Sequence, residues 1–364
     1  MQKIYAAEKI FTGSEWIENA AVVLNGETIT DVIKDVPEGA TFFEKALIAP
    51  AYVDAQVYGA AGRLLATFPT AETLRVMQLT FAAEGTALCQ PTLATNTLDV
   101  FKKSIDALQQ YRAEGGSGVW GLHLEGPWIH PTKKGAHIES LVHAPTLEEV
   151  KDLLEYGKGL ITMITLAPEV CSQEIIDLVC SYNIVISAGH SNATYKEATD
   201  AFNNGISAVT HLYNAMSGLH HREPGMVGAV FQHPTVCSSI IPDGHHVDFA
   251  AITIAKKIMG ERLFAITDAV TENNEGAYQH HLAGDKYEVE ETLSGSALRM
   301  HDAFVNLVKK VEIPIGEAHR MCSLYPANVL GAKRYGRIEN GAAAELIVLN
   351  KNLDLLKVIS GSAV

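Results

Sequence analysis

The chain has 364 residues, 47% of them hydrophobic, which is enough for one large domain and a small appendage. Its 28 Lys and Arg stand against 42 Asp and Glu, a net charge of −14 with no basic run, which argues against nucleic acid and anionic membrane surfaces as partners. No apolar stretch approaches the ~20 residues needed to span a bilayer. The start, MQKIYAAEKI, has no apolar segment behind a basic one, so the reading is a cytoplasmic protein. Five scattered cysteines without a C-x-x-C read as buried thiols, not as disulfides or a thiolate zinc site.

Residues 1–48 read as short strands. AAVVLNGETITDVI breaks at Asn25 and Gly26, a strong hairpin signal. From 49 to 332, short apolar strands alternate with amphipathic helices, the pattern of βα units around a parallel sheet. The strands are LIAPAYVDA, TALCQPT, GVWGLHLEG, LITMITLAP, IVISAGH, SAVTHLY, VCSSIIPDG and LFAITDA. Thr146 with Glu149 and Thr194 with Glu197 fit the capping box at helix starts. Gly85, Gly157 and Gly205 fall where those helices should stop. Eight such units point to an α/β fold, a TIM-type (β/α)8 barrel. Residues 333–364 return to short strands, so both chain ends are expected to form one small β-sandwich domain.

A barrel of this kind builds its active site at the C-terminal ends of its strands. Glu125 ends the third strand, His190 the fifth, His211 the sixth and Asp268 the eighth. Singly, each has a structural reading: a hydrogen-bonded histidine, a capping carboxylate. Jointly, one carboxylate and two imidazoles can converge on one ion and leave a place for water. A bound metal lowers the pKa of such water toward ~7. Asp268 on a neighbouring strand could then take the proton and pass it to a leaving amine.

The segments HLEGP, AGHSNAT, THLYNAM, REPG at 222–225, PDGHH and TDA follow one another in an order that resembles the N-acetylglucosamine-6-phosphate deacetylase family of the amidohydrolase superfamily. SGSAL at 294–298 and YPANVLG at 325–331 extend the resemblance over essentially the whole chain. The resemblance implies that Glu125, His190 and His211 bind a divalent metal, zinc foremost, and that Asp268 is general base and acid. His246 would contact the sugar or polarise the acetyl carbonyl. Arg222 would hold the phosphate, within its own subunit or across a homodimer. Ala136, His137, Asn214, Ala215, Leu293, Ser294 and Gly295 would line the substrate pocket. The implied reaction releases acetate from N-acetylglucosamine 6-phosphate, with metal-bound water as nucleophile. A dianionic phosphate suits the planar, permanently charged fork of Arg222. His220, His221, Lys133 and Lys134 could add positive field, or could be solvated surface. Nothing physical separates His245 from His246, and only the family register selects the second. His280 and His281 read as a surface loop.

PAYVDAQVYGAAG, the first barrel strand, raises the remaining question. Some members of the resembled family carry His-x-His here and can hold two metals, whereas others carry Gln and work with one. Gln56 places this chain with the second kind, its amide suited to hydrogen-bond a metal-bound water. Tyr58 departs from the Asn of the best-known single-metal members and either touches the site or packs at the barrel mouth. His and carboxylate ligands suit zinc, iron, cobalt and manganese alike. Two competing readings remain at this point. One is an amidohydrolase acting on a different N-acyl amino sugar phosphate or a cyclic amide. The other is a non-catalytic sugar-phosphate-binding barrel.

Overall fold

Short runs that are apolar throughout suit strands covered on both faces, and the barrel strands are such runs. The computed structural model of the protein describes residues 2–284, 286–289 and 292–361. Its central element is an eight-stranded sheet built from β5 (Tyr52–Val57), β8 (Thr86–Ala94), β9 (Leu122–Glu125), β10 (Ile161–Leu166), β11 (Val185–Ala188), β12 (Ala208–Val209), β13 (Cys237–Ile240) and β14 (Leu263–Ala265). All neighbours are parallel and in sequence order. The sheet closes where Val57 bridges Ala269 and the Asp268 amide donates to the Gln56 carbonyl at 3.1 Å. The barrel expected from the sequence is therefore present.

Helices α1 (Ala71–Ala83), α2 (Leu98–Ala113), α3 (Leu147–Tyr156), α4 (Gln173–Ser181), α5 (Tyr195–Asn203), α6 (Gly225–Gln232) and α7 (Phe249–Met259) return the chain between successive strands. Hydroxyl side chains start five of them: Thr70, Thr97, Thr146, Ser172 and Thr194 each accept from the amide three residues on. The Thr194 box is complete. That of Thr146 is half-formed, because the Glu149 carboxylate instead meets His143 Nε2 at 2.9 Å and accepts from Trp128 Nε1 at 3.2 Å. Gly157 caps α3, and Gly85 and Gly205 follow the caps of α1 and α5 at φ of +90° and +120°, a region that costs glycine little.

The small domain is one curled six-stranded sheet. From the N-terminal side come β1 (Gln2–Phe11), β2 (Trp16–Asn25), β3 (Thr28–Ile33) and β4 (Thr41–Pro50), and from the other end β18 (Glu345–Asn350) and β19 (Leu355–Ser360). β4 pairs with β1 on one side and β18 on the other, which joins the two chain ends. The sheet bends far enough for Thr28 to bridge Ala343, enclosing a core that includes Ile10, Val22, Leu24, Ile48, Leu346 and Val348. LIAPAYVDA, read as one strand, is two. Residues 47–50 pair inside the small sheet, and the barrel strand starts at Tyr52 after the single residue Ala51.

Two short excursions decorate the barrel mouth. β6 (Gly59–Ala60) and β7 (Arg63–Leu64) form a small ladder after β5. After β14 the chain builds a three-stranded antiparallel sheet, β15 (His281–Ala283), β16 (Lys286–Val289) and β17 (Thr292–Ser296). α8 (Met300–Lys309), α9 (Ile315–Met321) and α10 (Leu324–Leu330) then complete the helical layer.

Candidate active site

Glu125 is the last residue of β9, while His190, His211 and Asp268 lie just beyond the ends of β11, β12 and β14. All four are buried. The last three take left-handed backbone conformations, φ +47°, +36° and +56°, uncommon for residues with a Cβ. Such conformations persist where the surroundings over-determine them. Here the His211 amide donates to Ser239 Oγ at 2.8 Å, and the Ser191 amide beside His190 donates to the Ala215 carbonyl at 3.0 Å. The kinked strand ends aim three side chains at one point.

Glu125 Oε1 lies 3.0 Å from His211 Nε2 and 3.3 Å from His190 Nε2, and the two nitrogens are 3.1 Å apart. Tetrahedral ligands about 2.0–2.1 Å from zinc stand about 3.3 Å from each other, so these three atoms fit the corners of such a site. The His190 tautomer agrees. His190 Nδ1–H donates to the Lys133 carbonyl at 2.8 Å, which leaves Nε2 with a lone pair facing inward. The charge balance favours a cation as well. Burial works against charge on His211, yet Glu125 and Asp268 outweigh it and raise its pKa. Burial likewise pushes Glu125 up, but contacts from His137, His190 and His211 hold it well below the usual carboxylate range.

His137 also approaches, its Nε2 3.3 Å from Glu125 Oε2, and Glu125, His137 and His190 form a second ligand-like cluster. Its tautomer argues for a different part. The Thr95 amide donates to His137 Nδ1 at 3.2 Å, so a neutral ring carries its proton on Nε2 and donates to Glu125. Burial first, and the His190 charge second, depress this imidazole to about 4, so it is neutral near pH 7. In this tautomer a neutral His137 steadies the Glu125 carboxylate.

Gln56 and Tyr58 stand between the two carboxylates. Gln56 Nε2 donates to Asp268 Oδ1 at 2.7 Å and to Glu125 Oε1 at 3.1 Å, and lies 2.8 Å from the Tyr58 hydroxyl. That hydroxyl donates to Glu125 Oε2 in a short hydrogen bond and reaches Asp268 Oδ1 at 3.3 Å. Tyr58 thus touches the site directly. Asp268 is raised above the ordinary aspartate range by burial and then by the Glu125 charge, although His211, His246 and His190 pull the other way. Behind this pair, Asp54 accepts from the Thr267 hydroxyl at 2.5 Å and from the amides of Thr267 and Gln56 at 3.2 and 3.3 Å. It ties the first barrel strand to the eighth directly beneath the site.

A cavity of about 190 Å³ opens over these groups. The expected pocket residues Ala136, His137, Asn214, Ala215, His246, Leu293, Ser294 and Gly295 all line it. Gln56 lies buried beneath, bonded to the carboxylates. The structure separates the histidine pair that the sequence could not. Asp243 accepts from the amides of both His245 and His246, but His246 Nδ1 also meets its carboxylate at 2.6 Å, and His246 alone of the two lines the cavity. Arg222 is not brought in. It is exposed, off the cavity wall of its own chain, beside His220 and His221, whose rings are 4.2 Å apart.

One expectation is corrected. His280 is no surface residue; it is buried against Ser294 Oγ at 3.0 Å on the cavity wall, and burial holds it near 4, while His281 is exposed. Tyr278, whose hydroxyl donates to the Thr95 carbonyl at 2.7 Å, and Val270 were also missed. A period of two was the available signal, since Tyr278 and His280 point inward and Gln279 and His281 outward.

The amidohydrolase family model matches residues 47–364. An N-acetylglucosamine-6-phosphate deacetylase of Haemophilus influenzae is 32% identical over 96% of each chain. An N-acetylgalactosamine-6-phosphate deacetylase of Escherichia coli O157:H7 is 30% identical over 98% of each. Among solved structures, the N-acetylglucosamine-6-phosphate deacetylase of Pasteurella multocida superposes with a TM-score of 0.92 at 31% identity, covering 99% of this chain and 98% of that one. With the barrel and the strand-end constellation already in place, these matches identify the chain as a member of the amidohydrolase family.

Proposed function

We propose that this enzyme hydrolyses the acetamide of N-acetylglucosamine 6-phosphate to glucosamine 6-phosphate and acetate. The observation that carries the reading is the meeting, at one barrel mouth, of three ligand atoms 3.0–3.3 Å apart with a second, separately held carboxylate. Glu125, His190 and His211 would hold one divalent ion, taken here as zinc, which when bound would supply a Lewis acid and acidify the attacking water. Gln56 and Tyr58 fill the ground between the carboxylates with hydrogen donors, which supports a single ion per chain. Two tightly bound ions per chain on elemental analysis would refute that count.

Asp268 takes the proton of the attacking water. Its Oδ1 is occupied by Gln56 and Tyr58, so Oδ2 is the oxygen presented for the proton. A carboxyl raised by burial is a stronger base than a solvated aspartate and, once protonated, returns the proton to the amine nitrogen as the C–N bond breaks. His246 is oriented by Asp243 with Nε2 toward the cavity. That side chain would contact the sugar or polarise the acetyl carbonyl. Arg222, exposed on its own chain and off its cavity wall, would serve as the phosphate clamp of a neighbouring subunit in a homodimer. A cytoplasmic setting suits the five unpaired cysteines, and no described helix is long and apolar enough to cross a membrane.

A galactosamine epimer is the second reading, because one close relative is a deacetylase of that sugar phosphate. The test is acetate release from both N-acetylated 6-phosphates and from N-acetylglucosamine, with zinc-loaded and chelated protein. Chelator-sensitive release from a phosphorylated sugar, with the epimers ranked by kcat/KM, is expected. Arg222→Ala should raise KM for the phosphorylated substrate and leave the phosphate-free sugar unchanged. Equal effects on both would remove Arg222 from phosphate binding, and no release with any metal would overturn the function.

A further inference from the structure

The cavity wall changes character around the barrel mouth. The arc supplied after β11, β12 and β13 carries the polar groups His190, His211, Asn214 and His246, beside Ala215 and Ile241. The opposite arc, supplied around β5, β8 and β14, is apolar. There Leu64, Ala94, Val270 and Tyr278 pack together as a cluster separate from the barrel core, with Tyr58 against it. Glu125 and Asp268 stand at the divide, since Tyr58 bonds both and Val270 follows Asp268 by two residues.

Three polar atoms bordering the apolar arc are already engaged. The Tyr278 hydroxyl donates to the Thr95 carbonyl, the Tyr58 hydroxyl to the carboxylates, and His280 Nδ1 meets Ser294 Oγ. Burial also keeps the arc uncharged, lowering His280 and raising Tyr278. Gly295 lets the β17 strand close over it, because a Cβ there would come within 2.4 Å of Val270 Cγ1. A dianionic phosphate gains nothing from such a wall beside two carboxylates. The one apolar tail of an N-acyl amino sugar phosphate is its acyl chain.

Building on the amide hydrolysis proposed above, we propose that the Leu64–Ala94–Val270–Tyr278 arc is the acyl subsite and that it accepts N-acyl chains longer than acetyl, so that propionyl and butyryl amides of the amino sugar phosphate are also substrates. The chemistry needs no further reactant. Water oxygen adds to the acyl carbon, the C–N bond breaks, the amine takes the proton, and the chain leaves as its carboxylate whatever its length. Burying one further methylene in such a chamber is worth roughly fourfold in kcat/KM.

The test measures kcat/KM for the N-acetyl, N-propionyl and N-butyryl glucosamine 6-phosphates with the zinc-loaded protein and with Leu64→Ala and Leu64→Phe. Leu64 is buried on β7 and touches neither carboxylate in any hydrogen bond. The expected wild-type propionyl-to-acetyl ratio is one or greater. Leu64→Ala should raise the butyryl-to-acetyl ratio at least fivefold, and Leu64→Phe should lower the propionyl-to-acetyl ratio by a similar factor. Because each readout is a ratio on one preparation, partial misfolding of a variant cancels. Acetyl turnover with an inert propionyl amide, or ratios unmoved in both variants, would overturn the subsite while leaving the deacetylase reading intact. Failure to release acetate from the acetyl substrate as well would fall on the hydrolase reading and take the subsite with it.

Discussion

Removing one oxygen atom from Tyr58 tests whether the residue at the second place of the missing His-x-His works for the metal site. In Tyr58→Phe the ring remains, and the hydroxyl's contacts with Glu125 Oε2, Asp268 Oδ1 and Gln56 Nε2 are lost. Among the described residues Glu125 Oε2 then keeps only His137, at 3.3 Å, while Oε1 still faces His190 and His211. A hydrogen bond to a buried charged group contributes about 1.5–3 kcal/mol, or one to two decades in an equilibrium constant. The same 10–100-fold range is typical of groups that support metal ligands from behind. Zinc affinity should therefore fall 10–100-fold. Gln56 still holds Asp268, so kcat at saturating zinc should fall by a smaller factor. The assay equilibrates wild type and variant in zinc buffers of graded free concentration and reads retained metal by elemental analysis, with kcat measured at the top of each series. Superimposable retention curves would show that the phenol only packs, and the argument built on its two carboxylate contacts would fail.

Asp268→Asn keeps an oxygen for Gln56 and should retain metal, but kcat should fall about 10²–10⁴-fold through loss of the base. The wild-type acid limb of kcat/KM should lie above the ordinary aspartate range, with activity lost as pH falls through the raised pKa. That limb should vanish in the variant, and an unchanged profile would assign it to another group. Asp54 makes a prediction about stability. Burial outweighs its bonds to Thr267 and Gln56 and pushes it from 3.8 to about 7, so the folded state holds the proton more tightly than the unfolded chain. That stability is full below the unfolded pKa and lost as pH rises through the folded one, about 3 kcal/mol between pH 5 and pH 8. Asp54→Asn should gain about that much on wild type over the interval in denaturant unfolding. A pH-independent difference would mean that Thr267 and Gln56 keep Asp54 ionised throughout.

Parallel strands covered on both faces read as uninterrupted apolar runs, which is why all eight barrel strands were legible. The same property hid the break at Ala51, because an apolar run does not say which sheet it pairs with, and only the bonds of 47–50 to β18 divide it. Thr146 was legible as a cap because the backbone supplies its partner three residues away, whereas the Glu149 carboxylate had a choice and went to Trp128 and His143. His280 was misread for a related reason. A histidine pair between the eighth strand and the SGSAL segment suggests a loop, and burial of the first member depends on Ser294 arriving fourteen residues later.

Gln56 and Tyr58 show where a sequence signal is present but its sign is ambiguous. Loss of two histidines at a metal-ligand position can mean a dead site or a rearranged one. A dead site would have no reason to keep Glu125 and Asp268 buried close together, because two carboxylates repel and neither is hydrated. Here the approach is sustained by uncharged donors, the amide of Gln56 touching both carboxylates and the phenol of Tyr58 touching both from the other side. The arrangement also divides the labour between them. Glu125 Oε1 faces His190 and His211, while Asp268 has Oδ1 anchored and Oδ2 left for a proton. The single cation proposed above would then suffice, since the charge a second one would neutralise is already stabilised by hydrogen bonds. The substitution is coherent only as a pair. Gln56 alone would leave Glu125 Oε2 without the phenol, and Tyr58 alone would leave Asp268 Oδ1 without its 2.7 Å donor.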